Sequence, residues 1–393
     1  MANPNVLLYS NLSKYHEICH GGAESSMRVI GEKLAQNGIK TCYFTRGISK
    51  FPGIQRKTID DVDVYFFTPW RWLILKNTFF PKTASWFVRM QRRKVLGNIL
   101  KKEKIQIVYA YESYPIIFEL LIVRKNLGLN FMIVHRIAGL YWAVQIRSGV
   151  ASASIYEKIF NESDVLNFLS PNSEIMFNKQ CQKFGISVNR PRRICCDIGV
   201  NFLHFSKRNQ LPTNEYFTII CVARFTDYAK RQDLLIEALK MLKVNTVRIW
   251  FVGAGKLLDH YKKRASEENL DSWITFHGYV NGKPYSDLLK KADLFALPTD
   301  HEGLGKSVLE AMASGVPVLV SDVPPLNTLI AHNQTGFLAR NTPESWAETI
   351  KYIQQDHDRL IRVAETGHAY ARRHFDADQA IHTYMNLFSD ICS

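Results

Sequence analysis

Short, nearly continuous apolar runs alternate with amphipathic stretches along this chain, and the alternation occurs twice. In the first half Val6–Tyr9, Thr41–Phe44, Val64–Phe67, Ile107–Ala110, Phe131–Val134 and Val165–Leu169 read as strands. Helical periodicity covers Ser26–Gln36, Ala84–Lys102 and Ile116–Lys125. In the second half Phe217–Val222, Val247–Val252, Ile274–His277, Leu294–Leu297 and Val316–Val320 are strand-like. They alternate with helical Gln232–Leu242, Leu257–Glu268, Tyr285–Lys290 and Ser307–Ala313, and from about Pro343 the chain reads as helices only. A strand apolar at nearly every position is covered on both faces, so strands alternating with helices form parallel sheets between helical layers. Two such series predict the α/β class, with two Rossmann-like doubly wound domains. A single core rarely grows beyond about 250–300 residues, and 393 residues fit two. The polar, proline-bearing stretch Ser206–Tyr216 is the expected boundary, giving domains 1–205 and 206–370.

Composition narrows the function classes. With 46% hydrophobic and 22% charged residues the chain is globular, not disordered or collagen-like. No apolar run reaches the roughly 18–20 residues of a spanning helix, and MANPNVLLYSN has neither basic flank nor cleavage site, so no signal peptide is expected. Seven cysteines, odd in number and without a CxxC pair, suggest neither a zinc site nor a disulfide framework. They read as buried thiols in a reducing compartment. The net charge of +14 is unevenly placed: residues 1–210 hold 30 Lys/Arg against 14 Asp/Glu, and 211–393 hold 20 against 22. A basic half suits nucleic acid, an anionic membrane surface or a phosphorylated substrate. No helix-turn-helix, zinc-finger or RNP-like run is visible, so a nucleic-acid partner is not expected.

The densest chemistry lies in Leu294–Ser321, LFALPTDHEGLGKSVLEAMASGVPVLVS. A buried strand ends at Pro298, a loop with Gly303, Leu304 and Gly305 follows, and a helix opens near Ser307 and Val308. Free N–H groups at such a helix start suit a phosphate. Glu302 lies in the loop, within reach of a sugar. Glu310 lies one turn into the helix, where it can accept hydrogen bonds from ribose hydroxyls.

Glu302, seven residues, then Glu310 and AMASGVPVLVSD resembles the signature of the retaining glycosyltransferases of family 4, glycosyl transferases group 1. The resemblance implies the GT-B fold, in which two Rossmann-like domains face a central cleft and a C-terminal helix, here 371–393, crosses back to the first domain. It makes the first half the acceptor domain and the second the nucleotide-sugar donor domain. Cys221–Phe225, Lys230 and the helix from Asp233 look like the first strand and loop of the donor domain, with Arg224 and Lys230 as diphosphate clamp. A departing nucleoside diphosphate gains negative charge, which two fixed cations stabilise. Phe251–Gly255 resembles the second glycine loop, including Gly253. Gly278, Tyr279 and Val280 match the strand end that holds the nucleobase by main-chain contacts. In the first half the resemblance places Gly21 and Gly22 opposite the donor diphosphate, His135 beside the donor sugar, and Ser170 at the last strand end.

The chain departs from the family pattern at several points. Arg231 follows Lys230 where glycine is usual, Asp197–Asn201 alters the interdomain crossing, Pro324, Pro325 and Asn327 replace a glycine-rich run, and Lys306 stands at a commonly apolar position. Asp61-Val62-Asp63 is DxD-like but precedes its strand, with no further metal ligands evident nearby, and reads as a surface turn. Residues 64–96 hold nine aromatics, seven Lys/Arg and no acid. Trp86 and Met90 share one helical face and Arg89, Arg92 and Arg93 the other, which suits a bilayer headgroup region.

The expectation is a retaining, metal-independent hexosyltransferase with no cofactor. It takes a nucleotide-diphosphate sugar, UDP-sugar favoured, and a glycan or lipid-linked acceptor of cell-surface polysaccharide or glycolipid synthesis. Its expected place is cytoplasmic, peripheral on the inner membrane face. The rivals are an inverting GT-B enzyme, a sugar-nucleotide epimerase, a silent nucleotide-sugar sensor and a basic nucleic-acid-binding protein.

Overall fold

Burial of the apolar runs builds two sheets. The computed structural model describes residues 3–392 except 11–21, 48, 50, 71–80, 112–113, 227 and 243–245. The first sheet contains β1 (Val6–Tyr9), β2 (Thr41–Arg46), β3 (Gly53–Ile59), β4 (Val62–Thr68), β5 (Ile107–Tyr111), β6 (Met132–Ile137), β7 (Val165–Phe168) and β8 (Arg192–Cys195). Its order is β3-β4-β2-β1-β5-β6-β7-β8, parallel except for the β3/β4 pair. The second sheet contains β9 (Phe217–Val222), β10 (Val247–Val252), β11 (Ile274–Gly278), β12 (Leu294–Leu297), β13 (Val318–Ser321) and β14 (Phe337–Ala339). All its strands are parallel, in the order β11-β10-β9-β12-β13-β14.

The central strands are those the apolar runs predict, because only a strand covered on both faces is apolar throughout. The outer strands β3 and β8 carry no such run: GIQRKTI is exposed along almost its whole length, and RRIC is only partly covered. Both sit at sheet edges, where charge guards against stray pairing. Arg56 of β3 pairs with Asp63 of β4 at 2.7 Å, and Thr58 donates to the same carboxylate at 2.9 Å.

The chain divides into two compact units, Met1–Ile198 with Asp378–Ser393, and Gly199–Ala377. The stretch Ser206–Tyr216, expected to separate the halves, lies within the second unit. Its polar residues are tied to the sheet: Arg208 donates to the Ala292 carbonyl at 2.6 Å, and Asn214 donates to Asp293 at 2.8 Å. The crossing falls instead at Gly199, whose φ of +67° and contact with the Phe375 carbonyl exclude a Cβ. Val200 N–H donates to Phe375, and Ala377 N–H donates to Val200, so both chain crossings are joined within this unit.

The last helix, Ala377–Cys392, packs in the first unit from Asp378 onward. Asp378 ion-pairs with the buried Lys33, and Tyr384 donates to the Cys196 carbonyl at 3.1 Å. By unit the charge is 28 Lys/Arg against 16 Asp/Glu in the first and 22 against 20 in the second. Most of the excess therefore stays with the first unit.

Within the basic aromatic stretch, residues 71–80 lie outside the described residues. Tyr65, Phe66 and Phe67 are core residues of β4. On the helix Pro81–Lys102, by contrast, Trp86, Phe87 and Met90 are about half exposed, as is Trp70 before it. Arg92 does not join an outer basic face as the periodicity implies. It turns inward and forms a double hydrogen bond with Glu119, which is 1% exposed. Such a charge is tolerated in the core only when paired in this way. The six described cysteines are free thiols, and burial pushes those of Cys42, Cys181 and Cys221 up to about 12.

Candidate active site

In an open parallel sheet, ligands bind beyond the carboxyl ends of the strands where the order reverses. In the second unit that point lies between β9 and β12, because β9 runs on to β10 on one side and pairs with β12 on the other. The two loops leaving these strands are laced together. Asp300 N–H donates to the Ala229 carbonyl at 2.8 Å, and the Thr299 hydroxyl reaches the same carbonyl at 3.0 Å. Above this seam the Lys230 ammonium ion-pairs with the Glu302 carboxylate, with side chains only 17% and 16% exposed. Both sequence-predicted groups therefore meet in one place.

Arg231 takes a left-handed φ of +42°, which explains why glycine is the usual occupant. Its guanidinium spans Asp233 and Asp300, each at 3.1 Å, and so binds the first loop to the second. Arg224 stands exposed and unpaired among the described residues, while the buried Gln232 side chain donates to its carbonyl at 3.1 Å. A fixed backbone thus carries an exposed guanidinium.

The Glu302 loop has a polar floor that sequence reasoning missed. Thr299 N–H donates to Ser321 Oγ at 2.8 Å, and Ser321 donates to Asn341 Oδ1 at 2.6 Å. Asn341 Nδ2 closes the ring by donating to the Thr299 carbonyl at 2.9 Å and to Asp300 at 3.1 Å. Thr299 and Ser321 are fully buried, so each polar atom here is held by its neighbour rather than by water. Asn341 follows β14 by two residues and has no motif to betray it.

Gly305 caps the helix Lys306–Ala313 at φ +81°, and a Cβ there would meet Leu326 at 2.7 Å. No side-chain hydrogen bond caps this helix, and its N-terminal turn is of the kind that suits an anion. Leu304 and Val308 bury their side chains, which leaves only their backbones to serve a ligand, and Ser307 is partly exposed. Lys306 directs its ammonium to the Gly199 carbonyl, which accounts for the departure from an apolar residue. Glu310 is 9% exposed and accepts a hydrogen bond from Tyr285 at 2.8 Å.

Gly253 and Gly255 are required by the backbone packed against them. At φ +148° and +152°, a Cβ on Gly253 would lie 1.9 Å from the Ala223 carbonyl, and one on Gly255 would lie 2.3 Å from that of Phe225. Loop-on-loop packing alone demands both. Gly278 (φ +68°) has open space where a Cβ would point, and Tyr279 and Val280 are partly exposed beside it.

In the first unit Gly21 lies outside the described residues, and Gly22 begins the helix Gly22–Gln36. Ser170 caps the helix Pro171–Lys183 through a reciprocal pair with Ser173. The expectation for His135 is corrected. β6 runs on to Ile137, so His135 lies within the strand, 1% exposed, stacked on Phe160 with its Nδ1 3.5 Å from Ser163. Its Nε2 is buried without a partner among the described residues. The environs of Asp63 are also corrected, since Cys42 and Glu103 bring ligand atoms within 4.8 Å of it and of each other. These carboxylates are already engaged, Asp63 with Arg56, and Glu103 with Lys40 at 2.6 Å and Tyr65 at 2.7 Å.

Residues 204–369 match the family described as Glycosyl transferases group 1. The chain is 29% identical over 170 residues to the GDP-mannose-dependent alpha-(1-6)-phosphatidylinositol monomannoside mannosyltransferase of Mycobacterium tuberculosis. That match covers 41% of this chain and 44% of the relative, so the chain spans less than half of that protein's length. Sucrose-phosphate synthase from Thermosynechococcus elongatus superposes with a TM-score of 0.80 at 18% identity, covering 99% of each chain. HepE of Anabaena, solved in complex with UDP and glucose, superposes with 0.74 at 16% identity, covering 98% of this chain and 100% of that one. At these identities the likeness is one of fold, the two-domain GT-B fold.

Burial lowers the His135 imidazole to about 3, from an ordinary value of 6.5. Above pH 6.5 neither state binds this proton. Below it the unfolded chain binds a proton that the folded chain refuses, so stability falls as pH falls, by about 1.4 kcal/mol per unit. Urea denaturation at pH 7.5, 6 and 5 should therefore show a steeper acid loss for the wild type than for His135→Leu. Parallel curves would place the ring in contact with solvent.

Proposed function

We propose that this chain, with its match to group 1 over residues 204–369 and its GT-B fold, is a retaining glycosyltransferase. It moves a sugar from a nucleotide-diphosphate sugar, UDP-sugar favoured, to a glycan or lipid-linked acceptor of the cell surface. The observation that carries this reading is the Lys230–Glu302 ion pair, held at the β9/β12 reversal beside an uncapped helix start. In this reading the diphosphate takes Lys230 from Glu302 and is also held by Arg224 and the N–H groups near Ser307. Glu302, released from Lys230, turns to the sugar hydroxyls, and Glu310 accepts from the ribose. His135 has no part, because its ring is sealed in the core.

The acceptor hydroxyl attacks the anomeric carbon on the face the diphosphate leaves. The new C–O bond forms as the old one breaks, and the acceptor's proton passes to the departing phosphate oxygen. The products are a glycoside of unchanged anomeric configuration and a nucleoside diphosphate. Two cations and a helix start aimed at the leaving group supply the stabilisation that metal-dependent transferases draw from a divalent ion. We therefore read the transfer as metal-independent.

HepE binds UDP and glucose in a fold of this kind, which supports the donor class. The mycobacterial relative is named for GDP-mannose and a phosphatidylinositol mannoside, which supports a lipid-linked acceptor. Among the described residues no helix is long and apolar enough to cross a membrane. The exposed Trp70, Trp86, Phe87 and Met90 on the basic first unit support peripheral attachment at an anionic surface.

Proton NMR of the product during turnover tests the chemistry. Retention of the donor's anomeric configuration, lost together with all turnover in Glu302→Ala and Lys230→Ala, is the expected result, and inversion rejects it. Sedimentation with liposomes tests the surface: binding to anionic but not neutral vesicles is expected, and reduced in a Trp86→Ser, Phe87→Ser variant. Equal binding to both vesicle types, or to neither, contradicts it.

A further inference from the structure

We propose that Tyr285 is a positioning residue of the Glu310 carboxylate and thereby sets how strictly the site demands a ribose. This rests on the reading above, in which Glu310 accepts hydrogen bonds from the ribose hydroxyls.

Tyr285 lies on the helix Gly282–Lys290 and Glu310 on the helix Lys306–Ala313, the two helices that precede and follow β12. The Tyr285 ring is 8% exposed and packs edge-on against Phe205 with centroids 5.7 Å apart, so its hydroxyl has little freedom. That hydroxyl donates to Glu310 Oε2 at 2.8 Å.

Glu310 is in an unusual place for a carboxylate. Val308, Leu309, Ala311, Met312 and Ala313 around it are all buried, and its own exposure is 9%. A carboxyl in such surroundings is drawn towards protonation unless donors hold the charge. A protonated carboxyl would present an O–H, whereas a carboxylate accepts at both oxygens, and vicinal hydroxyls bind best to the acceptor. The hydrogen bond from the phenol favours the carboxylate form over the acid and fixes its rotamer. Burial, and secondly the Glu310 charge, push the Tyr285 phenol well above its ordinary value, so it stays a donor throughout the working range.

Removing only the hydroxyl tests this. Titration of the full chain with UDP and GDP, each beside its 2′-deoxy form, reads the ribose preference directly. The wild type should prefer the ribo form at least tenfold with one of the two bases. Tyr285→Phe should reduce that preference three- to tenfold, mainly by weakening the ribonucleotide. A loss of packing alone would weaken ribo and deoxy forms equally. An unchanged preference in Tyr285→Phe, or an equal loss for both forms, overturns the assignment. Glu310→Gln separates the two layers: if it leaves the ribose preference intact, or if no nucleotide binds the wild type, the reading of the site itself fails.

Discussion

Two loops that leave adjacent parallel strands must be held together before they can hold anything else. Here the Ala229 carbonyl receives two donors from the β12 loop, and Arg231 crosses to Asp300. Lys230 and Glu302 are the outermost stitch of that seam. Each is too enclosed to be left alone as a charge, so each neutralises the other while the site is empty. In the proposed reading a diphosphate, with more negative charge than one carboxylate, would compete for the same ammonium. The pair would then link phosphate capture to the release of Glu302, while the buried ring of Thr299, Ser321 and Asn341 holds the loop.

The central strands and most helices were legible in the sequence, because strands buried on both faces leave an unbroken apolar trace. β3 and β8 were not, since an edge strand with exposed faces has no such period. The pairing of Lys230 with Glu302 was legible as two motif positions but not as a contact. Seventy-one residues of chain separate them, and only the β9/β12 adjacency brings them together. Tyr285 and Asn341 were invisible for the same reason, as polar residues whose role depends on a partner from another element. His135 shows the opposite error. The resemblance sets it beside the donor sugar, whereas the strand runs on to Ile137 and holds its imidazole in the core.

The glycines divide by cause. Gly253 and Gly255 are fixed by neighbouring carbonyls of the Ala223–Phe225 turn, whereas the space beside Gly278 is open. A glycine loop after a strand therefore carries two messages that the sequence alone cannot separate. Arg231 adds a third case, a non-glycine residue in the left-handed region that holds two carboxylates in exchange for the strain. The charge excess lies in the other unit, beside exposed aromatics, and is distinct from the cations of this seam.

The exchange of Lys230 between Glu302 and phosphate can be measured without turnover. Calorimetric titration of the wild type and Glu302→Gln with UDP, and with GDP should UDP fail to bind, compares the nucleotide with and without its internal competitor. Tighter binding by Glu302→Gln, about three- to tenfold, is the result the ion pair predicts. Unchanged or weaker binding would show that Glu302 does not hold the ammonium against the phosphate, and would contradict the central role given to the pair.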